Sequence, residues 1–232
     1  MKHRYVAGWI VLAFGLGLVG TAQAQVYPQG DIAVIVGLPQ GEFEDNVDNA
    51  GFGLSLFGGL GLGHTPIVIG VDAGFLVYGF ERRREPFSTT IPDVTVRVET
   101  SNAIAMGHMV LRLQPPGGAV QPYLDGLFGF KYFFTETTIK DDDRFDEEEI
   151  ASTTNFDDAA LSYGVGGGLD IMLHRGRGAA VMINAGARYL FGRQAEYLQE
   201  GSIERRNGQV FFAIDRSETD ILLMQLGITL KF

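Results

Sequence analysis

Residues 221–232 read ILLMQLGITLKF, and the faces taken by these side chains decide the fold. Leu222, Met224, Leu226, Ile228, Leu230 and Phe232 are apolar; Gln225, Gly227, Thr229 and Lys231 alternate with them. A period of two marks a strand with two unlike faces. Soluble domains usually end in a polar, frayed segment, whereas here the alternation runs through to an aromatic. What remains to be decided is which solvent each face meets.

Seven further alternating segments lie upstream. The first covers about Asp31–Leu38 and the second Gly51–Leu62, where Phe52, Leu54, Leu56, Leu60 and Leu62 oppose a face rich in glycine. The third, Ile67 to about Glu81, sets Ile69, Val71 and Phe75 against Gly70, Asp72 and Gly74. The fourth, about Val96–Leu113, sets Met109, Leu111 and Leu113 against His108 and Arg112. In the fifth, Val120–Phe134, Leu124, Phe128, Phe130, Tyr132 and Phe134 oppose Gln121, Asp125, Gly129 and Lys131. The sixth, Ala159–Leu173, opposes Leu161, Tyr163, Val165, Leu169 and Ile171 to Ser162, Gly164, Gly166, Gly168 and Asp170. The seventh, Ala179–Phe191, opposes Val181, Ile183, Tyr189 and Phe191 to Asn184, Gly186 and Arg188. Short connections at 63–66, 114–118 and 174–178 alternate with long ones at about 39–50, 82–95, 136–158 and 192–216. This rhythm predicts an eight-stranded antiparallel up-and-down meander, with turns at one end and loops at the other.

The large apolar face belongs outside. A face of Gly, Ser, Ala and a few charges suits the inside of a narrow eight-stranded barrel. It suits a water-facing exterior poorly, because there glycine only weakens a strand. Acyl chains outside then require closure, since an unpaired backbone group in hydrocarbon costs several kcal/mol. The eighth strand is therefore expected to pair with the first. Phe52, Tyr132, Phe134, Tyr163, Tyr189 and Phe191 gather toward the long-loop end, as an interfacial girdle does. An even strand count puts both termini at the short-turn end, which in such barrels is periplasmic.

The start of the chain fits an exported protein. Residues 1–24 combine Lys2 and Arg4, an apolar run from about Val6 to Val19, and Ala22-Gln23-Ala24. That is the pattern of a cleaved secretory signal peptide, which leaves residues 25–232 as one barrel domain. Losing Lys2 and Arg4 takes the formal charge from −10 to −12, which argues against nucleic acid as a partner. Beyond the leader no run of eighteen apolar residues offers a transmembrane helix. With no cysteine, neither a disulfide framework nor a thiolate metal site is available.

With its leader, its alternating strands, the QPYLDGLFGFKYF segment (121–133) and the closing LGITLKF (226–232), the chain resembles the small outer-membrane β-barrel proteins of Gram-negative bacteria, the OmpA/OmpX-like group. The resemblance implies a transmembrane barrel with short periplasmic turns and long extracellular loops, set among outer-membrane lipid and lipopolysaccharide. It also implies that Leu226, Ile228, Leu230 and Phe232 are read by the barrel-assembly machinery during insertion. Leu230 stands where the family often has an aromatic. No peptidoglycan-binding segment follows the barrel, so the anchoring role of two-domain relatives is not implied.

The inward polar set is Asp72, His108, Arg112, Asp125, Lys131, Asp170, Arg188, Gln225 and Lys231. These residues form either an ion path or a plug of paired charges. A narrow eight-stranded interior favours the plug. Counting back from the 114–118 turn places His108 across from Asp125. The segment 140–158 carries nine acids between Asp141 and Asp158, and GEFEDNVDN (41–49) is a second acidic cluster. Both are read as solvated loops, with divalent cations as the alternative partner; the spacing is not that of an EF-hand. No cofactor is expected. Enzymatic hydrolysis would need a nucleophile and a base near the outer rim. His64 and His174 fall instead in short turns, and His108 falls deep in the lumen. The glycine runs at 58–63 and 164–168 lie inside strands and lack a following helix, so they are not phosphate loops. The expected function is non-enzymatic: envelope integrity or surface interaction through acidic loops. The alternative is a narrow conduit for small solutes.

Overall fold

The computed structural model describes residues 26–47, 49–88, 91–141, 149–206 and 209–232. The expected signal segment, residues 1–24, and the acids at 142, 143 and 146–148 lie outside the described residues. Ten strands and one short helix are described: β1 Val26–Pro39, α1 Glu42–Asn46, β2 Gly51–Leu62, β3 Ile67–Ser88, β4 Ile91–Leu113, β5 Val120–Asp141, β6 Glu149–Arg175, β7 Ala180–Gly192, β8 Ala195–Arg206, β9 Gln209–Ser217 and β10 Ile221–Lys231.

Eight of these strands close into an antiparallel barrel in the order β1-β10-β7-β6-β5-β4-β3-β2. The seam joins β1 to β10 from Gln29↔Lys231 to Pro39↔Ile221. The first and last strands thus leave no open edge at barrel height, as the chemistry of a lipid-facing sheet demands. At the turn end the Phe232 amide donates to the Pro28 carbonyl at 3.0 Å, so both described ends of the barrel meet there.

Alternation sorts the side chains as expected. On β10 Leu226, and just past it Phe232, are largely exposed, while Gln225 and Thr229 are buried. Around the wall the same holds for outward Val34, Leu54, Val71, Met109, Leu124, Phe128 and Val165. Outward aromatics stack near the long-loop end, with ring centroids 5.7 Å apart for Tyr132 and Phe134, and 5.4 Å for Tyr163 and Phe191. Their hydroxyls point away from the apolar belt: Tyr132 donates to Asp157 at 2.9 Å and Tyr189 to Asp220 at 3.2 Å. An aromatic body with one wetted tip is the usual occupant of an interface.

Inward glycines make room for aromatics. A Cβ at Gly168 would sit 2.4 Å from the Ala185 carbonyl oxygen and 2.5 Å from the Tyr123 hydroxyl. A Cβ at Gly186 would meet the same hydroxyl at 2.5 Å. Gly168 of β6 and Gly186 of β7 therefore form the socket for the tip of the Tyr123 ring.

The structure departs from expectation above the barrel. Three of the four long connections contain strands. β2 pairs with β3 only as far as Val77, and β7 pairs with β6 only as far as Ser162. Beyond those levels β3–β6 continue as a four-stranded sheet, with β4 and β5 still paired at Val96↔Asp141. β6 has 27 residues, roughly 90 Å at 3.3 Å per residue, against the ~9–11 residues that a tilted crossing needs. The connection at 192–216 forms the β8–β9 hairpin, a separate two-stranded sheet. The connection at 39–50 forms α1.

Candidate functional site

The lumen is built in two tiers. The tier toward the short turns is polar, and Asp170 is its hub. Its Oδ2 accepts from Gln114 Nε2 at 2.7 Å and faces Lys231 Nζ at 3.3 Å. Its Oδ1 accepts from Asn184 Nδ2 at 2.8 Å and from Thr229 Oγ1 at 3.2 Å. Lys231 also donates to Gln121 Oε1 at 2.6 Å. Gln225 donates to Asn184 Oδ1 at 2.7 Å and to the Tyr123 hydroxyl at 3.0 Å, which ties β10, β7 and β5 together across the barrel.

Arg112 lies one level further in. It is fully buried, with Nε 2.8 Å from Asp125 Oδ1 and Nη2 3.0 Å from Asp125 Oδ2. Two parallel charge-assisted bonds of this kind are the strong form of the pair. Its guanidinium carbon lies 4.2 Å from the centroid of Phe57 and 4.1 Å from that of Tyr123, so the cation is held between two ring faces. Asp31 stands 3.7 Å from Nη1. Arg188 donates to Asp72 at 2.7 Å and approaches Asp125 at 3.6 Å. Above it, buried Lys131 donates to the carbonyls of Leu190 (3.1 Å) and Thr219.

The structure places all nine inward polar residues inside the barrel and adds others. Asp31 is buried and brings the lumen to four acids (Asp31, Asp72, Asp125, Asp170) against four bases (Arg112, Lys131, Arg188, Lys231). It opens the first segment read from the sequence, on the face of Ala33 and Ile35, which that reading left unassigned. Carrying the alternation back from Ile35 and Ala33 reaches Asp31 and Gln29. Carrying it forward along β4 from Arg112 likewise reaches Gln114.

The expected pairing of His108 with Asp125 is incorrect. Asp125 faces Arg112, and His108 faces Gly129 on one side and Asp72 on the other. The last pair of β4 with β5 is Leu113↔Leu124, so the hairpin is wider than a count from the prolines allows. His108 Nε2 lies 3.0 Å from Ser162 Oγ. Asp72, the acid that could orient this imidazole, is engaged by Arg188 instead, and Nδ1 has no hydrogen-bond partner among the described residues.

The tier toward the long loops is apolar, in place of the small residues and charges that alternation predicts. Ile35, Leu76, Ile104, Phe133, Leu190, Ile221 and Leu223 fill it. Phe43 of α1 descends onto them. It meets Tyr78, Phe133 and Tyr197 edge-on at centroid distances of 5.9, 5.9 and 5.1 Å. The segment 41–49, read as a solvated acidic loop, thus contains a lid: Glu42, Glu44 and Asp45 face out while Phe43 faces in. Polar bonds hold the lid down. Asn46 donates to the Tyr197 hydroxyl at 3.0 Å and the Glu218 amide to Glu42 Oε2 at 3.1 Å; beside the lid, Tyr78 of β3 donates to the Leu198 carbonyl of β8 at 3.2 Å. Ser217 donates to the Glu218 carbonyl, so Tyr197 donates to Ser217 Oγ at 2.7 Å. Burial raises the Tyr197 pKa, which keeps that proton in place at neutral pH.

The C-terminal end of the acidic segment 140–158 is also bound into the fold. Asp158 accepts from the amides of Ala159 and Glu196, both at 2.8 Å. Among the described residues no group of three or more His, Asp or Glu is arranged to hold a metal ion.

No curated protein matches the sequence. The solved structures similar to it include three outer-membrane proteins. Neisserial surface protein A is 13% identical with a TM-score of 0.38, covering 89% of this chain and 95% of that one. The attachment invasion locus protein Ail of Yersinia pestis, solved with the heparin analogue sucrose octasulfate, is 14% identical with a TM-score of 0.36, covering 89% and 97%. A major outer membrane protein of Thermus thermophilus is 12% identical with a TM-score of 0.39, covering 88% and 99%. The sequence model for the outer membrane protein beta-barrel domain matches residues 10–208, most of the chain, and the chain belongs to that family.

Proposed function

We propose that this barrel is a non-conducting, non-enzymatic scaffold of the outer membrane, which holds the β3–β6 sheet and the acidic loops above the lipid for surface contact or envelope integrity. The observation that carries this reading is the double closure of the lumen. An ion-paired tier and a phenylalanine-capped apolar tier lie in series, and both are made of buried side chains. A conduit would have to breach both. A hydrolytic site would need access to Ser162 and His108, which lie at the level of the charge network.

In this reading residues 1–24 are removed on export, both ends of the barrel face the periplasm, and Leu226, Ile228, Leu230 and Phe232 guide assembly. Outer-membrane lipid and lipopolysaccharide surround the belt. Divalent cations would meet the acids of 141–149, since Asp157 and Asp158 are hydrogen-bonded within the fold.

Planar-bilayer recording tests the closure. The wild-type barrel is expected to show no stable openings. Stable openings that vanish when Arg112 or Asp125 is replaced would establish the conduit instead.

A further inference from the structure

The short-turn mouth of the barrel holds a cleft of about 350 Å³ that the scaffold reading does not use. Its floor is the underside of the polar tier, with Gln29, Gln121 and Lys231; its wall is the turn after β6, with Arg175 and Arg177. The lining contains no aspartate or glutamate side chain, although the chain carries 28 acids against 18 bases. Phe232 adds at most its terminal carboxylate. Asp170 lies behind the floor and is already engaged by Gln114, Asn184, Thr229 and Lys231.

Arg175 and Arg177 are exposed, and neither forms an ion pair among the described residues. They flank Gly176, in a turn closed by the Gly176 amide on the Ala179 carbonyl at 2.8 Å. The cleft also opens at a particular height. Leu113, Val120, Leu173 and Leu230 are exposed apolar side chains at the ends of the strands that meet these turns. The apolar belt therefore stops where the cleft begins. Lipid phosphates lie in the polar layer that borders the hydrocarbon.

The geometry points to an anion site: the cleft takes a phosphate group, gripped by the Arg175 and Arg177 guanidiniums and backed by Lys231. The planar fork of arginine matches phosphate oxygens in pairs. The carboxamides of Gln29 and Gln121 give one N–H to Gln114 and to the Gly118 carbonyl respectively, and each keeps a second as a neutral donor at the floor. The phosphate arrives either on a lipid headgroup or free in solution. This inference is independent of whether the lumen conducts.

The test uses the full barrel in alkyl-maltoside micelles, which carry no phosphate, and follows the backbone amides of Gly176, Gly178 and Lys231 by NMR. Inorganic phosphate and, separately, dihexanoyl phosphatidylglycerol below its micelle concentration are titrated in. Saturable shifts confined to this mouth are expected with at least one of them. Shifts with the lipid alone assign the headgroup as source, and shifts with inorganic phosphate alone assign the free anion. The Arg175→Gln/Arg177→Gln variant is expected to weaken the response about tenfold or more. Arg177→Gln alone, outside the β6–β7 pairing, is expected to weaken it about threefold and guards against a folding defect. The absence of saturable shifts with either probe, or equal affinity in the variants, overturns the site.

Discussion

Replacing Arg112 by methionine is expected to destabilise the barrel by about 3–5 kcal/mol, the usual cost of removing one partner from a buried ion pair. The side chain is fully buried. Its loss strands Asp125, which then keeps only Arg188 at 3.6 Å, and Asp31, which faces Arg112 at 3.7 Å. It also empties the slot between Phe57 and Tyr123. Arg112→Lys is expected to recover only part of the loss, because an ammonium keeps the charge but not the two-point grip or the flat stacking surface. Arg112→Met/Asp125→Leu is expected to be more stable than the sum of the two single changes, by about 0.5–3 kcal/mol of coupling. Urea unfolding in lipid vesicles reads these differences, with gel mobility of unboiled protein as the check on closure. A loss below about 1 kcal/mol in Arg112→Met would show that the network does not hold the lumen together.

Phe43→Ala should open the lid without unfolding the barrel. Truncating a buried phenylalanine costs about 3–5 kcal/mol. Here the loss falls on a five-residue helix tied to its neighbours by a few hydrogen bonds, so it appears as local opening. Amides held by the lid, such as that of Glu218, are expected to exchange about a hundredfold faster or more, which is the same free energy expressed as an opening equilibrium. Amides in the wall between β5 and β6 are expected to keep their protection. Conductance should stay absent, since the ion-paired tier lies in series below. Unchanged exchange at Glu218 would show that Phe43 is not what closes the mouth.

The barrel was legible because one physical rule, alternation against an apolar outside, operates along every spanning strand. Closure of β1 on β10 followed from the cost of an open edge. The extensions of β3–β6 were not legible by that rule. TETTIK (135–140) is a good strand former but carries almost no hydrophobic period. VTVRVETS (94–101) alternates Val94, Val96 and Val98 with Thr95, Arg97 and Glu99 and reads as strand from about Val96, but nothing in it marks the height at which the barrel ends. The lid hid for the opposite reason. Phe43 and Val47 are the two apolar residues among the acids of 41–49, and only tertiary packing, for Phe43 against Tyr78, Phe133 and Tyr197, gives them a direction. Most of the inward charges could be identified from parity alone. Their partners depended on hairpin register, which a one-turn miscount shifts, and His108 was assigned the wrong neighbour for that reason. Asp31 stood inside the first segment, but its face was left unread; Gln29 was lost to a strand boundary set five residues late.

The claim beneath all of this is that bulky side chains face acyl chains while the interior is filled and dry. Since the chain has no cysteine, single nitroxide labels report cleanly. Leu124 is 65% exposed on β5 and Leu127, three residues on, is 4% exposed. In vesicles, a label at 124 is expected to collide freely with oxygen and hardly with a water-soluble nickel chelate, while a label at 127 is immobilised and reached by neither. A label at 127 with the oxygen exposure of hydrocarbon, beside one at 124 shielded from lipid, would contradict it.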